Sequence, residues 1–170
     1  MLAERSGHEP LLQVLADTAR RVLGADRAEL VVADAAGDGV RCVRAPLVGS
    51  AGAAETEGVG PRLVQALAAD PRPLRTPLAH DDPRAALLPD ALRAAPLLAV
   101  PVAMRQSVLG CLWATGGDRP FADDDEDIAR ALAAHAAAAL DAARRLALEH
   151  HRVEELEVLQ LAVRTVQAVL

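Results

Sequence analysis

The last part of the chain constrains the fold most, because no glycine or proline occurs between Asp123 and Leu170. An acidic run from Asp123 to Asp127 opens this stretch, as expected where carboxylates meet the positive end of a helix dipole, and Asp123 is the expected N-cap. One helix of this length would extend about 70 Å, at roughly 1.5 Å per residue. A domain of this size cannot cover so long a helix, so we expect its distal part to project from the globule.

The distal part carries a stripe of apolar residues spaced 3, 4, 3 and 4 apart, namely Leu156, Leu159, Val163, Val166 and Leu170. In water these side chains would each cost roughly 1.5–3 kcal/mol, whereas heptad spacing lets two parallel helices bury them. We therefore expect the stripe to form a homodimer interface. The predicted division is a globular domain over 1–145 and a coiled-coil-like connector over 146–170. Two alternatives stay open: the tail folds back on its own domain, or the stripe continues into another domain of a longer protein.

The rest of the chain alternates helical and extended patterns. "EPLLQVLADTARRVL" has helical spacing, "AELVVAD" and "VRCVRA" read as a hairpin, and "GPRLVQALAAD" reads as a short helix. The residues 77–95, "PLAHDDPRAALLPDALRAA", form an irregular stretch with a short helix, which we call the lid segment. "APLLAVPVAM" and "SVLGCLWATGG" then form a long hairpin around Arg105 and Gln106. Its near-continuous apolar character predicts cover on both faces, and the whole order predicts an α+β fold with an antiparallel sheet.

Composition excludes several classes of protein. The net charge is −6 without a basic stripe, which disfavours nucleic-acid binding. No apolar run approaches the roughly 18 residues that span a bilayer, and the charged start does not resemble a signal peptide, so a cytoplasmic location is expected. Cys42 and Cys111 occupy apolar strand patterns without a CxxC or Cys/His cluster. We expect both to be buried, reduced thiols and expect no metal site.

Three motifs in order carry a family resemblance: Leu98-Ala99-Val100-Pro101-Val102, Val108-Leu109-Gly110-Cys111-Leu112-Trp113, and Arg119-Pro120-Phe121 before the acidic run. Together they resemble the GAF domain over roughly residues 10–145, with Ala99 in place of the usual glycine. The resemblance implies a central antiparallel sheet with terminal helices on one face and, on the other, a ligand pocket roofed by the lid segment. It also implies a sensory module whose terminal helices pair between two protomers.

The special chemistries of the family match this chain poorly. Cyclic-nucleotide-binding relatives carry an Asn-Lys pair, and this chain has no Asn and no Lys. Haem-binding relatives place a histidine just before the motif strand, where this chain has Asp90-Ala91-Leu92-Arg93. Bilin-binding relatives use a Cys-His pair that does not occur here. We expect no cofactor and no catalytic residue, with two alternatives: a redox enzyme similar to free methionine sulfoxide reductase that uses Cys111, or a haem-based gas sensor.

Alternation along the last strand places Leu109, Cys111 and Trp113 on one face, which we expect to form an apolar pocket wall. Arg75, His80 and Arg93 are the candidate polar contacts. The pocket would bind an unknown small ligand or be collapsed and empty. The sequence thus predicts a regulatory sensor module, not an enzyme, that controls an output domain such as a serine phosphatase or a histidine kinase.

Overall fold

The structure is a computed structural model that describes residues 9–33, 40–44, 58–76 and 82–169. Its four α-helices, five β-strands and one short 3₁₀ helix within these ranges are α1 Glu9–Val22, β1 Arg27–Ala33, β2 Val40–Arg44, α2 Val59–Ala69, β3 Leu74–Thr76, the 3₁₀ helix Pro83–Leu87, α3 Asp90–Ala94, β4 Leu97–Met104, β5 Ser107–Thr115 and α4 Asp123–Val169.

The strands form one antiparallel sheet in the order β2-β1-β5-β4-β3. The predicted β4–β5 hairpin is confirmed: Met104 pairs with Ser107 across a two-residue turn in which Arg105 has a φ of 57°. β1 pairs with both β2 and β5, so the first hairpin meets a strand that is distant in sequence. The expected α+β fold with a central antiparallel sheet is therefore correct.

Both faces of the sheet are covered, as the apolar hairpin predicted. On the helix side, α1 and α4 pack on a core that includes Leu30, Leu98 and Leu112. Most of the buried residues of α4 are alanines, among them Ala129, Ala133, Ala136 and Ala137, and their small side chains let the helix lie close to the sheet. On the other side, which we call the lid side, α2 and the described part of the lid segment cover a second core built on Trp113, Leu74 and Leu97.

A β-bulge in β5 overturns one expectation about the pocket wall. Val102 pairs with Gly110 but Ala103 pairs with Val108, so Leu109 is an extra residue in β5. The extra residue reverses the alternation, because a strand shifted by one residue presents its side chains on the opposite face. Leu109 therefore lies in the helix-side core, whereas Cys111 and Trp113 lie on the lid side. The expectation that these three residues share one face is wrong.

The start of α4 is closed by Asp125 rather than by the expected Asp123. Asp125 Oδ2 accepts a hydrogen bond of 2.7 Å from the Ala122 N–H, as the third residue of a capping box does. Arg119 donates to both carboxylate oxygens of Asp125, at 2.6 and 2.9 Å. The Asp123 carboxylate instead accepts from Arg75 on β3. Ala122 precedes the first residue of α4 and has no side-chain acceptor. The carboxylate of the third helical residue, Asp125, caps the helix instead.

The backbone of α4 is helical to Val169, but the predicted interface stays a prediction. The side chains of Leu156, Leu159, Val163 and Val166 are outside the described part of the structure, and so is the whole of Leu170. The division into residues 1–145 and 146–170 likewise stays a prediction. In the described ranges, no helix combines enough length with enough apolar character to cross a membrane.

Candidate functional site

Trp113 and Cys111 lie at the centre of the lid side, and both are fully buried beneath α2. The helix approaches the sheet closely because Gly60 has no side chain. A Cβ atom at Gly60 would lie 2.6 Å from Val31 Cγ2 and 3.6 Å from Trp113 Nε1. Protein side chains therefore fill the wall expected for the ligand pocket, and any ligand there would have to be small.

The structure does not bring the other candidate residues to this wall. Arg75 pairs in register with Leu98, so it lies on the helix side and forms its ion pair with Asp123 at 2.8 Å. Arg93 is on α3, about half exposed, and paired with Asp90. His80 lies outside the described residues. The expected placement of Arg75 is wrong. The pairing register between β3 and β4 decides which face of the sheet each residue of this three-residue strand occupies, and sequence spacing does not reveal that register.

A cluster of buried charges on the lid side was missed by the sequence reasoning. Glu29 on β1 is almost fully buried and accepts from Arg27 Nη2 at 3.4 Å and from Arg44 Nε at 3.2 Å. Arg27 is also buried, whereas Arg44 reaches the surface. The Arg27 Cζ atom lies 5.6 Å from the centroid of the Trp113 ring, within the range of a cation–π interaction. We call Arg27, Glu29, Arg44 and Trp113 the charge cluster.

The signal for this cluster was present in the strand itself. In "RAELVVA", Arg27 and Glu29 alternate with apolar residues, so both share the face of Val31. Charged residues rarely lie fully buried unless they are paired, and the partner Arg44 comes from the neighbouring strand. Alternation predicted which residues share a face, but only the packing of the sheet showed that this face is covered.

Two nitrogen atoms of the cluster have no acceptor among the described residues. Arg27 Nε and Trp113 Nε1 are both buried donors without a hydrogen-bond partner. A buried donor left unpaired costs roughly 1–3 kcal/mol, so most such groups in folded proteins are paired. These two donors are the feature of the lid side that points most directly to a bound group.

The two cysteines are too far apart to form a disulfide with each other, and burial favours the protonated form of both. Cys42 and Cys111 are each in register with Val31, on the two strands that flank β1. Two strand spacings place them about 10 Å apart, beyond the reach of a disulfide. Burial, followed by the nearby Glu29 carboxylate, raises the pKa of the Cys42 thiol to about 11. Burial also raises the pKa of the Cys111 thiol strongly. Both are therefore thiols, not nucleophilic thiolates, at neutral pH.

The described part of the lid segment is held by one arginine and one threonine. The Arg84 guanidinium donates to both carboxylate oxygens of Asp82 and to the backbone carbonyls of Asp70, Arg72 and Pro73. Thr76 Oγ1 on β3 has hydrogen-bond contacts with the carbonyls of Leu92, at 3.3 Å, and Ala95, at 2.7 Å. The lid segment is thereby attached to the same short strand whose Arg75 contacts α4 on the opposite side.

A groove of about 350 Å³ lies between β4 and α4, next to Pro71 and Arg72. Its two arginines, Arg72 and Arg130, already pair with acidic neighbours: Arg72 with Asp70, and Arg130 with Glu126 and Asp127. The groove therefore offers little free charge for a ligand. Among the residues that the structure describes, no group of three His, Cys, Asp or Glu side chains is arranged to hold a metal ion.

Comparison with known proteins agrees with this architecture. A family model described as GAF domain matches residues 8–140. None of the curated proteins matches the sequence significantly. The fold is similar to that of the GAF domain/HD domain protein from Geobacter sulfurreducens, with a TM-score of 0.61 and 20% identity, over 85% of this chain and 98% of that one.

Two further structures share the fold. One is the GAF-B domain of DevS from Mycobacterium smegmatis, with a TM-score of 0.54 and 21% identity, over 85% of this chain and 98% of that one. The other is a domain of a sensor histidine kinase protein from Sinorhizobium meliloti 1021, with a TM-score of 0.56 and 18% identity, over 85% and 98% of the two chains. At these identities the likeness extends to the fold alone.

Proposed function

The chain belongs to the GAF domain family, and from this we propose that it is a regulatory sensor module of a signal-transduction protein in the cytoplasm. The observation that carries the proposal is the arrangement of the two faces of one sheet. The lid side holds a buried, incompletely paired charge cluster, and the helix side holds α1 and α4. A ligand that alters the lid side would change the surface on which α4 rests.

β3 supplies a route between the two sides. Thr76 contacts the lid segment, and the adjacent Arg75 contacts the first residue of α4, because neighbouring side chains of a strand point to opposite faces. We expect Arg75→Met to loosen the first turn of α4, seen as faster amide hydrogen exchange there. Arg145→Met, which removes an ion pair with Asp141 within α4, is the control. Unchanged exchange at the first turn of the Arg75 variant would contradict this route.

The output of the module lies beyond this domain or on a partner protein. We propose that α4 continues as a coiled coil in a homodimer and acts on a domain such as a serine phosphatase or a histidine kinase. Support comes from the heptad pattern over Leu156–Leu170 and from the fold shared with a domain of a sensor histidine kinase protein.

Native mass spectrometry of the protein taken directly from cell extract tests the proposed homodimer and reports any bound small molecule. We expect a mass of two chains, either alone or with a small molecule in each. A mass of one chain would contradict the proposed homodimer.

We propose a binding function, not a catalytic one. The separation of Cys42 from Cys111 and the raised pKa values of both thiols argue against a redox enzyme that uses Cys111. Reduction of free methionine sulfoxide by the purified protein would reverse this conclusion. For the haem-based alternative, a Soret band in the visible spectrum of the haem-supplemented protein is the deciding observation.

A further inference from the structure

We propose that the charge cluster recognises a small monocarboxylate, bound through Arg27 and Trp113. This deepens the proposed sensor function and rests on it, because it names the chemical class of the ligand on the lid side. The proposal starts from the two buried donors, Arg27 Nε and Trp113 Nε1. The guanidinium lies over the indole ring at 5.6 Å, so both donors belong to the same small region.

Arg27 is paired less completely than two other arginines that contact carboxylates. Arg84 and Arg119 each fork a carboxylate, with contacts between 2.6 and 3.1 Å. Arg27 reaches Glu29 through one nitrogen at 3.4 Å, the long limit of a hydrogen bond. Its guanidinium therefore has donors left for a second, planar acceptor, and a carboxylate is the group that fits such a fork.

The unpaired Nε of Arg27 also differs from the other unpaired arginine nitrogens. Arg20 Nε and Arg75 Nη1 are buried without an acceptor as well. However, the side chains of Arg20 and Arg75 are 16% and 20% exposed, and each keeps an ion pair at the protein surface. Only 7% of the Arg27 side chain is exposed, and its neighbour Trp113 is fully buried.

The charges of the cluster favour an anion. Arg27 and Arg44 carry two positive charges and Glu29 carries one negative charge, so the charge cluster has one net positive charge, with 58% of the Arg44 side chain exposed to water. A neutral acceptor would satisfy the donors without changing this net charge. A monoanion would satisfy the donors and also balance the charge. The ligand must be small because Trp113, Cys111 and α2 fill the adjacent wall.

The sequence offers a direct probe of the site, since Trp113 is the only tryptophan and no tyrosine occurs. The full chain is titrated with formate, acetate and propionate, and the indole ¹⁵N–¹H resonance and the fluorescence of Trp113 are followed. Acetamide serves as the neutral match for acetate, and sodium chloride keeps the ionic strength constant. We expect a saturable shift of the indole resonance with at least one carboxylate and none with acetamide or chloride.

Arg27→Met should weaken the apparent affinity at least about tenfold, since it removes a charged donor. Arg62→Met is the matched control, because Arg62 is exposed on the neighbouring α2. If Arg27→Met does not fold, the double variant Arg27→Met, Glu29→Met removes the buried pair together and avoids an isolated buried carboxylate. The comparison of carboxylates with acetamide in the parent protein decides the question in either case.

An unshifted indole resonance with all three carboxylates overturns the proposal, and so does an equal shift with acetamide or an undiminished affinity of the Arg27 variant. The outcome is separable from that of the sensor proposal. A different molecule retained in native mass spectrometry, with no response to carboxylates, would leave the sensor function standing and remove only the ligand class.

Discussion

Among the described glycines, Gly110 leaves the least space for an added side chain. A Cβ atom there would lie 2.0 Å from the Val31 carbonyl oxygen and 2.9 Å from Val32 Cα, both of which belong to the backbone of β1. Backbone in a central strand cannot move aside without disturbing its pairing to β2. The glycine of the motif strand is therefore required by the close approach of β1 to the bulged part of β5.

We expect Gly110→Ala to lower the free energy of unfolding by about 3 kcal/mol. Gly60→Ala is the graded control, since its Cβ would meet the end of the Val31 side chain, which can adjust, and alanine favours the helix. Urea denaturation followed by circular dichroism measures both. An equal decrease in the free energy of unfolding for the two variants would show that the backbone of β1 can shift.

Asp125 gives the start of α4 a dependence on pH. The hydrogen bonds from Arg119 chiefly lower the pKa of this carboxyl, against the opposing effect of burial, and the Ala122 N–H lowers it further. Because the pKa is lower in the folded than in the unfolded protein, the ionised carboxylate stabilises the fold at neutral pH. This contribution is lost as the pH falls from the ordinary carboxyl range through the pKa of the folded state.

We expect Asp125→Asn to cost about 1 kcal/mol at neutral pH, the usual value of a helix cap. The difference from the parent should shrink as the pH falls below the ordinary carboxyl pKa, when measured by urea denaturation at a series of pH values. Asp124→Asn removes the same charge from the exposed first turn and serves as the control. A difference that does not change with pH would contradict this account.

At the scale of elements, the lid segment depends on a single side chain for much of its attachment. The Arg84 side chain is 10% exposed and connects the 3₁₀ helix to the loop between α2 and β3 through three backbone carbonyls. These carbonyls belong to residues 70–73, which precede the lid segment in the sequence. Arg84 therefore attaches the described part of the lid segment to the loop between α2 and β3.

Replacing Arg84 by Met should lower the free energy of unfolding by about 2 kcal/mol, because several charged hydrogen bonds are lost at once. Arg72→Met is the matched control: Arg72 is exposed, and its pair with Asp70 is solvated, so stability should stay near that of the parent. Thermal unfolding of the parent protein and of the two variants measures the order of their stabilities. The same stability for both variants would mean that Arg84 does not hold the lid segment.

For the whole molecule, the decisive feature is the length of α4 relative to the domain. In the described side chains, burial along α4 ends near Ala143, while the helical backbone continues to Val169. A helix that leaves its domain in this way needs a partner for any apolar stripe it carries. The proposed homodimer supplies one.

The triple variant Leu156→Glu, Leu159→Glu, Val163→Glu should be monomeric by light scattering, because charge replaces three residues of the stripe. The control variant Val158→Glu, Leu161→Glu, Thr165→Glu adds the same number of charges at positions off the stripe and should remain dimeric. A monomeric parent protein at tens of micromolar, or dissociation of both variants alike, would contradict the predicted interface.

Much of the fold follows from local patterns in the sequence. Helical spacing predicted α1 and the start of α4, alternation and apolar runs predicted the two hairpins, and the ordered motifs around Pro101 and Trp113 predicted the family. These features depend on neighbours a few residues apart, because the period of a helix or strand is a local property. The same reasoning placed Trp113 and Cys111 together on one side of the sheet.

Only the tertiary structure decided what surrounds those residues. The bulge moved Leu109 to the helix side, register with β4 put Arg75 there too, and the meeting of β1 with β2 and β5 buried Arg27 and Glu29 beside Trp113. Each outcome depends on the register in which two strands pair, and that register is chosen by the summed packing of two faces. No periodicity within a single strand contains that information.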